Sequence, residues 1–99
     1  MSRFTIEDVE AVKRLLTHAK RKTFIRDFLL NAYNPWFSCD IRTLMCYSDG
    51  FGGDMTFQQD VYRVLALMVN GVETNELVGD EIMEALARER RAEDKERAG

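Results

Sequence analysis

The side chains that could carry chemistry are few, and their spacing matches no common reactive arrangement. His18 is the only histidine in the 99-residue chain, and Cys39 and Cys46 are the only cysteines. One histidine excludes a multi-histidine metal site within the chain. Zinc would need both thiols, His18 and a carboxylate in a spacing that fits no common finger, so no metal and no cofactor are expected. His18 with Cys39 or Cys46 supplies the ingredients of a Cys–His nucleophilic pair. A histidine on the polar edge of a helix and cysteines in a small core serve structural ends equally well. The stretch Gly50-Phe51-Gly52-Gly53 precedes a helical pattern and could cradle a phosphate on backbone N–H groups. It lacks the Lys-Ser/Thr step of a P-loop and no strand comes before it, so a connector is the expectation. The chain is therefore expected not to be an enzyme.

Two sets of residues point to binding instead. Lys13, Arg14, Lys20, Arg21, Lys22 and Arg26 fall in a stretch that contains no Asp or Glu. Such a patch can neutralise phosphates, which makes direct nucleic-acid binding the alternative function, or it can pair with acids elsewhere in the chain. The isoelectric point near 5.1 argues against a dedicated nucleic-acid binder. Tyr33, Trp36, Phe37, Tyr47 and Phe51 cluster in or near loops. Loop aromatics anchor protein partners, and they also plug the ends of small helical cores. Residues 1–48 carry a net charge of +3 and residues 49–99 a net charge of −6. From the acidic half, Asp80, Glu81, Glu84 and Glu89 form a candidate acidic surface able to mimic phosphates.

Those residues need elements to position them. A chain of this length makes one domain. Thr5 caps a first helix carrying Ile6, Val9, Val12, Leu16 and Ala19 at spacings of three and four. Thr23 is the expected cap of a second, with Phe24, Ile25, Phe28, Leu29, Ala32 and Tyr33 on its face. Asn34-Pro35 ends that helix, because proline disfavours helical backbone in the residue before it and lacks an N–H. Trp36 and Phe37 are expected to fold back onto the core. Asp40 caps a short helix with Ile41, Leu44 and Met45, and Ser48–Gly53 is the clearest break. Thr56-Phe57-Gln58-Gln59 matches a capping box. The helix it opens is the most apolar, is expected to be central, and stops at Asn70-Gly71.

The last segment can start at Thr74 or at Asp80, with Gly79 between them. After Leu86 the sequence is charged apart from alanines, so residues 88–99 are expected to protrude or fray from a domain spanning residues 1–87. On one helix Cys39 and Cys46 would lie about 10 Å apart, beyond the reach of a disulfide; Cys39 is expected just before the helix, which leaves that distance open, and two reduced thiols are expected. No alternating run supports a sheet. The expected fold is all-α, with four or five helices.

At Asp27-Phe28-Leu29-Leu30-Asn31-Ala32-Tyr33-Asn34 the chain resembles a family of small phage- and prophage-borne helical proteins. Phe37, Asp40, Leu44 and the run Asp60–Met68 extend the likeness over roughly residues 24–69. No activity is assigned to that family, so the resemblance brings no catalytic residues. It implies a mobile-element setting in which small acidic proteins bind and block host machinery. The expectation is thus a non-enzymatic interaction protein, cytoplasmic and without a membrane span. Its partner would be a host or phage protein, and homodimerisation is left open.

Overall fold

Thr5 and Asp8 fix where the chain enters its first helix. The Asp8 N–H donates to Thr5 Oγ1 at 3.3 Å, and the Thr5 N–H donates to Asp8 Oδ2 at 2.8 Å. This reciprocal box satisfies two donors that a helix start leaves unpaired. The computed structural model describes residues 3–47 and 56–98. Among them are six helices and no strand: α1 (Ile6–Ala19), α2 (Thr23–Tyr33), α3 (Ile41–Met45), α4 (Thr56–Val69), α5 (Thr74–Val78) and α6 (Asp80–Ala98). The fold is all-α, as the apolar spacing predicts. The break expected at Ser48–Gly53 lies outside the described residues.

The centre of the fold is α2, not α4. Ile25, Arg26, Phe28, Leu29, Leu30 and Ala32 are all buried, so α2 is enclosed on most of its circumference. It packs against each of the other five helices. α4 buries Phe57, Val61, Val64 and Leu67 but leaves Tyr62 and Val69 exposed, because it lies mainly against α1. High apolar content alone does not choose the centre. α2 gains that place because its buried positions cover a face wider than half of the helix circumference rather than a narrow stripe.

Helix ends follow local chemistry except at two expected caps. Asp40 caps α3 by accepting from the Thr43 N–H at 3.1 Å. α4 ends in a Schellman turn: the Val72 N–H donates to the Leu67 carbonyl and the Gly71 N–H to that of Met68, with Gly71 at φ 74°. Arg3 closes the same end, since its Nη2 donates to the carbonyls of Asn70 and Gly71 at 3.2 and 2.7 Å. One is Thr56, which is the first residue of α4 rather than the residue before it; the other is Thr23. It is the first residue of α2, and the cap position is Lys22, which makes no side-chain capping bond.

Both candidate starts of the last segment are used. Gly79 divides α5 from α6 at φ 97° and ψ 154°, a backbone region open essentially to glycine alone. A Cβ placed there meets nothing within 4 Å, so the backbone itself is the obstacle. Gly79→Ala is expected to destabilise the fold by about 1–3 kcal/mol, read from chemical denaturation.

The charged end of α6 stays against α2 well beyond the expected boundary at residue 88. Ala87 is fully buried, and the guanidinium of the buried Arg26 donates to Glu93 of α6 and to Asp27 of its own helix. Arg90 donates to the Ser38 carbonyl at 3.0 Å and lies 3.1 Å from Asp27. The apolar stripe does stop near Leu86. Ion pairs to α2 and the Arg90 hydrogen bonds to Ser38 carry the docking on to Glu93, Asp94 pairs with Arg90 within α6, and Lys95–Ala98 are exposed.

Candidate functional site

The loop aromatics do not form one surface. Phe37 is 1 % exposed, with Arg91 stacked over its ring at 5.6 Å. Tyr47 is half-buried in an edge-on cluster with His18, Phe24 and Phe57. Tyr33 is half-buried and its hydroxyl donates to Glu84 across to α6, a bond that pushes its pKa up. Phe51 lies outside the described residues. Among the described members of this set Trp36 alone faces solvent, at 73 % exposure. Phe37 and Tyr47 thus fold onto the core as end plugs and Trp36 does not.

Trp36 is held rather than loose. Its backbone N–H donates to Asn34 Oδ1 at 3.0 Å, and its ring meets Phe37 edge-on at 5.3 Å and 89°. Phe37 is fixed from below, since Asn31 Nδ2 donates to its carbonyl at 2.7 Å. Asn34 and Pro35 end α2 and start the turn; Phe37 then supplies the platform for the exposed indole.

The basic stretch divides into spent and unspent cations. Arg14 makes a bidentate pair with the buried Asp60, both bonds 2.9 Å, which ties α1 to α4. Arg26 is 2 % exposed and belongs to the core. Lys13, Lys20, Arg21 and Lys22 are exposed and enter no ion pair among the described residues. The patch of six is in fact four, because the two arginines answer acids that lie 46 and 67 positions away in sequence.

Asp80, Glu81 and Glu84 share one shallow depression with Arg88, so that acidic surface has a cation within it. Asp80 also accepts from Asn75 Nδ2 at 2.7 Å. Glu89 sits apart from the other three and lies 3.6 Å from Arg26. The four acids are thus not one field.

A groove that no motif announces lies between α1 and α6. Both helices pack on α2 without packing closely on each other, and a space of about 550 Å³ opens between them. Leu16, Ala19, Ile82, Ala85 and Leu86 supply its apolar lining. Lys13, Thr17 and Lys20 stand on the α1 side and Glu89 on the α6 side. The signal was present in part: Ile82, Ala85, Leu86 and Glu89 recur at helical spacing on one face. Nothing in the sequence says that this face lacks a neighbour.

His18 Nδ1 meets the Tyr47 hydroxyl at 3.3 Å rather than a thiol. Cys39 and Cys46 are unbridged; burial pushes the Cys39 thiol pKa up, and the nearby Asp27 and Asp40 charges add to it. Among the described residues no three His, Cys, Asp or Glu side chains converge in a way that could hold a metal ion. No described helix is long and apolar enough to cross a membrane.

No family model, curated protein or solved structure matches the chain.

Proposed function

We propose that this chain is a non-enzymatic protein-binding module that uses Trp36 as its anchor. The exposed indole on a fixed platform carries the reading. Tryptophan is the residue type most enriched among the few side chains that dominate binding energy, since it buries a large apolar area and retains a hydrogen-bond donor. Held by Asn34 and Phe37, Trp36 loses little further freedom on docking, and that lowers the ordering cost of association. The setting we assign is that of a phage or prophage accessory protein which binds or inhibits host machinery. That part draws on the resemblance at Asp27–Asn34.

The test uses the fact that Trp36 is the only tryptophan in the chain. A partner isolated by affinity capture from host lysate is titrated into the purified protein while indole emission is followed. Burial of Trp36 shifts the emission to the blue, and Trp36→Ala weakens binding by about 30-fold or more, as expected for a dominant anchor. Saturating binding with an unmoved emission spectrum, or equal affinity for the alanine variant, would overturn the reading.

A further inference from the structure

The groove between α1 and α6 supports an inference that does not depend on Trp36. Its lining is mostly apolar, and its unspent charges are Lys13 on α1 and Lys20 at the C-cap of that helix, seven residues apart. Two turns of helix separate them, about 10 Å. The one carboxylate on the groove, Glu89, already lies beside Arg26. The groove therefore presents an apolar strip two turns long, edged by two lysines that enter no ion pair among the described residues.

Three kinds of occupant can be compared on that chemistry. A nucleic acid would use the lysines but not the apolar strip, and no aromatic lines the groove for a base to stack on. An extended peptide gains its affinity by pairing with a free strand edge, and both walls here are helices whose backbone groups are already bonded. A helix fits both features. An apolar stripe along one face would fill the strip, while Ala19 and Ala85 are small enough to let another helix axis approach to the usual 8–10 Å. Acids seven positions apart on its flank would then meet Lys13 and Lys20, as flanking charges do in paired helices. We propose that the α1–α6 groove docks an amphipathic helix of a protein partner which carries Asp or Glu at two positions seven residues apart beside its apolar stripe.

The probes are three synthetic helical peptides with the same leucine stripe and Glu, Gln or Lys at the two flanking positions. Each is titrated into the ¹⁵N-labelled full chain and followed by amide chemical shifts. The Glu peptide perturbs Leu16, Ala19, Ala85 and Leu86 and binds about tenfold more tightly than the Lys peptide, a preference that shrinks as salt rises. The double variant Lys13→Glu/Lys20→Glu reverses the order. Both lysines are exposed, so this variant keeps its helical circular dichroism. Trp36→Ala leaves these titrations unchanged, which lets this proposal and the preceding reading fail separately. Four results would overturn the proposal: equal affinity for the Glu and Lys peptides, no binding of any of the three at about 1 mM, shifts confined to other residues, or preferential occupation of the same residues by an oligonucleotide or a second copy of the chain.

Discussion

Glu93→Ala lowers the unfolding free energy by about 2–3 kcal/mol, the largest effect expected from any single charge in α6. The reason is Arg26, which is 2 % exposed and cannot shed its proton. Its guanidinium is held by Glu93 and by Asp27, the latter at 2.9–3.1 Å. Removing one partner from a fully buried pair costs about 3–5 kcal/mol. Here Asp27 remains, and the Glu93 side chain is 28 % exposed, so water recovers part of the loss. The double variant Arg26→Met/Glu93→Met is expected to regain part of the stability, because the apolar pair suffers no desolvation cost while Asp27 keeps only Arg90, at 3.1 Å. Urea denaturation of the three proteins checks both statements, since it returns the midpoint and slope separately.

The same contact sets an acid limb. Hydrogen bonding to Arg26 holds the Glu93 carboxyl below the usual carboxylate range in the folded state. A depressed folded pKa contributes stability that is complete above the unfolded value, about 4.3, and is lost as pH falls through the folded one. Asp8 acts in the same direction. Burial raises its pKa, but Arg63 at 2.9 Å and the Thr5 N–H outweigh that and bring it below the ordinary value. Glu93→Gln should therefore flatten the loss of stability below about pH 4.3 while lowering stability at neutral pH.

Phe37→Ala costs about 3–5 kcal/mol, whereas Trp36→Ala stays within about 0.5 kcal/mol of the parent protein. The two rings are adjacent in sequence and in edge-on contact, yet one is buried at 1 % and the other exposed at 73 %. Truncating Phe37 removes a core side chain, opens a cavity beneath Arg91 and takes away the platform of the indole. Truncating Trp36 removes only surface. In thermal melts the contrast is wide, since each kcal/mol moves the midpoint of a domain this size by about 4–8 °C. If Trp36→Ala proved as costly as Phe37→Ala, the indole would be a core residue and the binding role proposed for it would be lost.

Much of the fold was legible along the chain because helix chemistry is local. Thr5 at the start of α1, Asp40 at the start of α3, Asn34-Pro35 after α2 and Asn70-Gly71 after α4 each act through partners within a few residues. The apolar spacing of three and four likewise needs no knowledge of what lies opposite. Thr23 shows the limit of such reasoning: the hydroxyl was available, but the helix starts one residue earlier than a cap there would allow. The candidate site was less legible. Lys13 and Arg14 are neighbours of the same charge, and only the position of Asp60 on α4 makes one spent and the other free.

What residue types and their spacing settled is the all-α class, most helix boundaries and the poverty of reactive groups, since each depends on interactions a few positions long. Three-dimensional packing alone chose α2 as the centre, placed Arg26 within the core, kept the charged end of α6 docked, left Trp36 outside and opened a groove between α1 and α6. Those outcomes depend on which distant side chains meet, and periodicity is silent about that. A stripe of leucines or a run of lysines looks the same in sequence whether or not another helix lies against it.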